Sequence, residues 1–486
     1  MREWTREERY RVLKSADEIA DLHEQICSSV YRQAYHIQPV TGLSSDPNGF
    51  VKHKGVWHLF YQWCPWGAVH GLKYWYHVSS KDLVHWKNEG LGLAADTEYD
   101  NRGAHSGSAF SKGDDLYLFY TGNHRDEDWT RTAYTCVAQL HEDGTITKLE
   151  KPLFGPHPDY TEHQRDPKVF YVAEKQRYYI FIGAQDKELR GKIVVYSSEE
   201  LLSGWKFEGE LKVPGYESFG GMWECPSIEH FCGKDLLIFS PQYMKYPDRG
   251  ESTNHNGYIV GHMDFDTLTF IPETEFTLLD YGFDFYAAQC ASGVNADDHA
   301  IMVAWIGLPD NHYPSEEEDW EGTQTLCRKI TIDENNRLIQ QPVEALKSLR
   351  KDTEVPAGTL PYACEMDVKV GEGDFDLNLF TKEDGSGGLT MHYDRAAQRF
   401  TVDKSKMDNR FNEKVFEQVY LPALTPLKTM QVFIDHSSIE IFVNGGETTF
   451  TAHIYPTERE HFYTISDNGC AKVYELEASV KDDFVV

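Results

Sequence analysis

The stretch VWHLFYQ at residues 56–62 is an apolar and aromatic run of strand length, and it recurs down the chain. Its counterparts are LYLFYTG (116–122), RYYIFIG (177–183), DLLIFSP (235–241) and AIMVAWIG (300–307). Anchored at Phe60, Phe119, Phe181, Phe239 and Ala304, the steps are 59, 62, 58 and 65 residues. A polar element precedes each run: SSDPNGF (44–50), HSGSAF (105–110), RDPKVF (165–170), WECPSIEHF (223–231) and DFYAAQ (284–289). A strand closing on a turn and a Trp often follows, as in SSKDLVHW (79–86) and YSSEELLSGW (196–205). Each unit has room for about four strands, and sheets of four repeated around an axis make a β-propeller. A stacked solenoid is the alternative, but the units lack the short rigid repeat that a solenoid needs.

Working outward, residues 35–345 read as a five-bladed β-propeller. Residues 1–34 read as a short helical extension: Thr5 is placed to cap a helix, and Ile19, Leu22, Ile26 and Val30 recur at helical spacing. The repeat breaks in 346–360, a linker with the sequence LKSLRKDTEVPAGTLP around it. Beyond lie DFDLNLF (374–380), LTMHYD (389–394), the long run 430–456 and CAKVYELE (470–477), with Asn444-Gly445-Gly446 as a hairpin turn. Residues 361–486 therefore read as a β-sandwich, and the whole chain as all-β.

The chain carries 47 Lys+Arg against 78 Asp+Glu, a formal net charge of −31. That excludes a nucleic-acid binder, which needs a basic face, and argues against docking on anionic membranes. No run of 18 apolar residues spans a bilayer. The nine Cys are scattered, odd in number and without a CxxC pair, so neither a disulfide framework nor a zinc set is indicated. With a charged start, MREWTREERY, the expectation is a cytoplasmic protein. Aromatics at 13% suit a neutral polar ligand such as a sugar, although many β proteins use them only for packing.

The polar elements share a register with the strands they precede. Asp46 lies 14 residues before Phe60, Asp166 lies 15 before Phe181 and Glu224 lies 15 before Phe239. Matched offsets, within one residue, place the three carboxylates at one radius and height about the axis. Alone, each reads as an ordinary turn or structural acid; the common register is what makes them a site. Gathered carboxylates suit either a hard cation or glycoside hydrolysis. Trp57, Trp63, Trp66, Trp75, Trp223 and Trp305, with Asn48, Gln62, Ser106 and Gln289, tilt the choice toward sugar. Arg165 would hold the adjacent Asp166 ionised. No HExxH, Gly-rich phosphate loop or GxSxG elbow is present. No metal site and no cofactor are expected.

With those motifs in order, the chain resembles glycoside hydrolase family 32, the invertases and fructanases, and is most similar to its bacterial sucrose-6-phosphate hydrolase branch. The resemblance rests on WTREERYR, YHIQPVTGLSSDPNGF (35–50), the run 57–86, HSGSAF, QRDPKVF (164–170), MWECPSI (222–228), DFYAAQ, AWIGLPDNHYP (304–314) and IDHSSIEIFVNGGETTFTAHIYP (434–456). It implies a retaining β-fructofuranosidase acting on sucrose 6-phosphate and/or sucrose through a fructosyl-enzyme intermediate. Asp46 would be the nucleophile and Glu224 the acid and then the base, its proton held by burial and acidic neighbours. Asp166 would bind fructose hydroxyls and stabilise the transition state. Asn48, Gln62, Trp75, Ser106, Arg165, Tyr286 and Trp305 would line the fructose pocket. The carboxyls of Asp46 and Glu224 would stand roughly 5–5.5 Å apart, as retention requires.

The chain departs from the family pattern at Ser45, at His105 and in QTLCRKI (324–330), which would alter hydrolysis against transfer and the packing of the last blade. A dianionic substrate needs a local cationic site against the global charge; Lys73, Lys168 and Arg190 are candidates. The rivals are a fructo-oligosaccharide hydrolase or fructosyltransferase of the same family and, in another class, a silent sugar-binding propeller. The expected partner is a small sugar, with no nucleic acid and no membrane, and the chain a monomer or homodimer.

Overall fold

The computed structural model describes every residue except 1–2, 295, 414, 416 and 424. Its first part is five sheets of consecutive antiparallel strands. The inner strands are Gly42–His53, Ala104–Lys112, Tyr160–Val172, Met222–Phe231 and Tyr286–Cys290. Each neighbours the next, and the fifth neighbours the first, so the sheets close a ring. The repeated apolar run is the second strand of each sheet. Val56–Cys64 and Arg177–Asp186 are buried along nearly their whole length. Sheets on both sides cover them, so they need no polar alternation.

The ring is sealed by one segment. Trp320–Glu321 pairs in parallel with Gly42–Leu43 of the first sheet, while Thr323–Gln324 pairs with the second strand of the fifth. Side chains stitch the inner strands together across the axis. Asn48 Oδ1 accepts from the Gly107 amide at 3.0 Å, Gln289 Nε2 donates to the Gly107 carbonyl at 2.8 Å, and the Phe50 amide donates to Gln289 Oε1 at 2.9 Å.

The second part is two five-stranded antiparallel sheets packed face to face. Met366, Val368, Leu377, Leu389, Met391, Val432 and Ile441 fill the space between them. Asn444, Gly445 and Gly446 all take positive φ, making the turn between Ser438–Val443 and Thr448–His453. Arg328, in the departing segment QTLCRKI, crosses into this second part. It is wholly buried and paired with Glu440 at 2.6 Å and Asp280 at 3.1 Å. Glu440 also meets His36, whose other ring nitrogen faces Asp435. The junction is thus a dry ionic cluster, costly to break from either side.

The N-terminal segment is less helical than its spacing predicts. Thr5 does cap a helix, in a capping box with Glu8, but that helix is only Arg6–Arg9. A second, Ala20–Cys27, buries Ile26 and stops where Ser28 turns its hydroxyl onto the Gln25 carbonyl. Val30 therefore lies outside the helix and is 65% exposed. Among the described residues no helix is long and apolar enough to cross a membrane.

Candidate active site

Every inner strand is bulged where the polar element sits. The register slips between Ser44 and Pro47, His105 and Gly107, Arg165 and Lys168, Glu224 and Ser227, and Tyr286 and Gln289. Asp166, Cys225 and Ala287 adopt φ of 67°, 47° and 53° at three of these slips. Such strained bulges re-aim side chains, and here they turn Asp46, Asp166 and Glu224 toward one another. The three acids feel each other's charge.

Asp46 Oδ2 accepts from the Ser106 hydroxyl at 2.5 Å and from Gln62 Nε2 at 3.1 Å. Gln62 and Ser106 are themselves hydrogen-bonded. Both donors fall on one oxygen, which fixes the carboxylate and leaves Oδ1 without a protein donor among the described residues. Burial pushes Asp46 above the usual carboxylate range, while Ser106 opposes the shift. Glu224 Oε2 accepts from the Tyr286 hydroxyl at 2.6 Å. Its Oε1 takes Arg165 Nε at 2.9 Å and Nη2 at 2.7 Å.

Asp166 Oδ2 accepts the Cys225 amide at 2.9 Å, and the Asp166 amide donates to Thr121. Burial lifts Asp166 to about 7, with Arg165 opposing and Glu224 and Asp46 adding to the lift. The expectation that Arg165 keeps Asp166 ionised is therefore corrected. The cation turns to the neighbouring sheet and pairs with Glu224, because adjacent residues of a strand point to opposite faces.

The aromatic residues play a different part from the one expected. Trp75 is fully buried, packs on Phe60 and donates to the His105 carbonyl at 3.1 Å. It supports the wall and does not line the pocket. Trp63 and Trp223 are likewise packing residues, the latter stacked on Phe239 at 4.3 Å. Asn48 is fully buried and holds the loop itself, donating to the Asp46 carbonyl at 2.9 Å. Trp305 lies edge-on to Tyr286, 6.5 Å between ring centres, and its buried indole N–H has no protein acceptor.

Two residues of the site have a part that the sequence reading does not give them. Gln324 donates to Ser44 Oγ at 3.0 Å and to the Ser45 carbonyl at 2.7 Å, locking the backbone just before Asp46. Lys73 is buried at 3.4 Å from Ser45 Oγ and senses the Asp46 charge. In sequence Lys73 reads only as a candidate phosphate partner and Gln324 only as part of QTLCRKI; their hold on the backbone before Asp46 exists only once the ring closes. Of the other cations singled out, Lys168 is buried against Glu229 at 2.8 Å, and Arg190 pairs with Asp186 and Glu188. Neither is free to meet a ligand.

A propeller whose bulged inner strands aim two braced carboxylates and a third acid at one point is the site of a glycoside hydrolase. Residues 36–342 match the Glycosyl hydrolases family 32 N-terminal domain and residues 329–481 the Glycosyl hydrolases family 32 C terminal. The chain belongs to glycoside hydrolase family 32. It is similar to the sucrose-6-phosphate hydrolase of Staphylococcus xylosus, 39% identical over 476 residues and covering 94% of each chain. That of Bacillus subtilis is 35% identical, over 91% of this chain and 92% of that protein. Among solved structures, sucrose-6-phosphate hydrolase from Lactobacillus gasseri superposes with a TM-score of 0.91 at 32% identity, covering 98% of this chain and 100% of that one. The Bombyx mori GH32 β-fructofuranosidase gives 0.83 at 30% identity, over 96% and 98%.

Proposed function

We propose that the protein is a retaining β-fructofuranosidase that splits sucrose 6-phosphate or sucrose into fructose and glucose 6-phosphate or glucose. The observation that carries this reading is the asymmetric bracing of Asp46. Ser106 and Gln62 occupy one carboxylate oxygen, and the other is left to attack the fructosyl anomeric carbon. Glu224 protonates the leaving oxygen, then takes a proton from water as the fructosyl-enzyme ester is cleaved. Asp166, lifted to about 7, holds fructose hydroxyls as the oxocarbenium-like state forms. The sucrose-6-phosphate hydrolases that the chain is similar to support the same substrate class.

Hydrolysis is favoured over transfer by the placement of Ser45. It is 1% exposed and held from both sides by Lys73 and Gln324, so it presents nothing to an acceptor sugar. Residues 35–345 are taken as the catalytic unit and 361–486 as the sandwich that clamps its last sheet. The enzyme acts in the cytoplasm on a small sugar, as a monomer or homodimer. The test is the anomer of fructose first released from sucrose or its 6-phosphate, followed by NMR. Net retention, together with an ester on Asp46 in the rapidly quenched wild-type enzyme, is expected. First release of the inverted anomer overturns the assignment.

A further inference from the structure

Several arginines of this acidic chain pair with carboxylates, such as Arg165, Arg328 and Arg350, whereas three gathered above the second sheet do not. Arg102 precedes its inner strand, Arg125 ends its second strand and Arg131 begins its third. These are the strand ends on the same side as Ser106, so all three stand at the mouth of the acid site. Arg125 and Arg131 face each other in register. Among the described residues no Asp or Glu forms an ion pair with any of the three. The acids of the intervening loop, Asp126, Glu127 and Asp128, are exposed.

The three are held in place by neutral groups. Arg102 and Arg125 flank the Trp129 ring at 5.6 and 5.3 Å, with Arg6 of the N-terminal segment over the same ring at 4.5 Å. Arg125 donates to the Trp129 carbonyl and Arg102 to the Asn101 carbonyl, each at 2.8 Å. Arg131 curls back, its Nε donating to Asn123 Oδ1 at 2.8 Å. Asn123 lies two residues past Thr121, which itself stands opposite His105, next to Ser106. Two residues of strand are ~7 Å, about one hexose ring above the carboxylate that Ser106 holds.

The cluster also lacks partners it should have. Nε of Arg102, Nε of Arg125 and Nε2 of His105 are buried without any hydrogen-bond partner. Buried polar groups are nearly always satisfied. A patch of three arginines without ion pairs suits an anion with several acceptor oxygens, which arginine binds in forked geometry. Burial and the nearby Arg165 and Arg125 push Arg131 down to about 10, while the charges of Glu162 and Asp166 oppose the shift.

We propose that Arg102, Arg125 and Arg131 build the subsite for the phosphate of a phosphorylated disaccharide whose glycosidic bond lies over Asp46 and Glu224. The proposal rests on the hydrolase reading above and says which of its substrates the protein is built for. The phosphate sits on the leaving sugar, since the arginines stand outward of the braced acids.

The experiment compares kcat/KM for sucrose and sucrose 6-phosphate in the wild type, Arg131→Ala, Arg125→Ala and Arg131→Lys, with thermal melts to confirm folding. The wild type is expected to prefer the phosphorylated sugar at least tenfold. Either alanine variant should shrink that preference by about tenfold or more, and lysine should restore part of it. Inhibition by glucose 6-phosphate should weaken in the same variants. A wild type active on both sugars without preference, or variants that lose both activities alike, overturns the subsite while the hydrolase reading stands. A wild type that splits neither sugar defeats both. Should either alanine variant fail to melt cooperatively, the glucose 6-phosphate inhibition of the lysine variant decides alone.

Discussion

Arg165 delivers two N–H groups to a single oxygen of Glu224, at 2.9 and 2.7 Å, while Tyr286 holds the other oxygen. The RDP motif thus serves the acid of the neighbouring sheet. Arg165→Lys keeps the charge but not the planar fork. It should lower kcat/KM by about 10²-fold with little change in melting temperature; steady-state kinetics beside a thermal melt will show it. A fall in stability without a fall in kcat would reassign Arg165 to structure.

Tyr286→Phe removes only the O–H that donates to Glu224 Oε2. Its loss frees one carboxylate oxygen of the acid and should lower kcat/KM by about 10-fold. Steady-state kinetics on sucrose beside a thermal melt are the measurement, and unchanged kinetics would place Tyr286 outside the catalytic machinery.

Ser106→Ala leaves Asp46 with one donor on Oδ2 in place of two. The carboxylate gains rotational freedom, and kcat should fall by about 10–100-fold while KM changes less. Pre-steady-state release of glucose will report the slowed first step directly.

Asp166 is a stability cost held at the site. Burial lifts it from 3.8 to about 7, so the native chain keeps a proton that the unfolded chain releases between those values. Its contribution is complete below about pH 4 and is lost as pH rises through 7. Asp166→Asn should therefore melt about 2 °C or more above the wild type at pH 8, with the gap closing near pH 4, and be almost inactive throughout. Calorimetry at both pH values is the measurement.

His36 works in the other direction, at the junction between the two parts. Burial opposes its charge, but hydrogen bonds to Asp435 and Glu440 prevail and lift it from 6.5 to about 9. The stabilisation is full below pH 6.5 and is lost as pH rises through 9. The wild-type melting temperature should fall across that window. His36→Gln should start lower, by a change of about 3–5 kcal/mol at neutral pH, and fall less steeply.

The motif spacing was legible because it is one-dimensional. Matched offsets of Asp46, Asp166 and Glu224 from a repeated apolar strand are set by backbone geometry alone, and so are the all-β class and the hairpin at Asn444. Pairing was not legible. Which acid Arg165 serves depends on which face of a bulged strand it leaves. Trp75, Asn48 and Trp223 read as sugar contacts because residue type is silent about whether a side chain points to the axis or into the wall.

What the sequence by itself determined is therefore the repeat, its register and the identity of the acids, since these follow from local periodicity. The tertiary structure decided the partners. Gln324 reaches back some 280 residues to Ser45, Arg328 crosses to Glu440, and Arg102, Arg125 and Arg131 form no ion pair with an acid among the described residues. Charge pairing acts across a few ångströms of space, and distance along the chain carries no information about it.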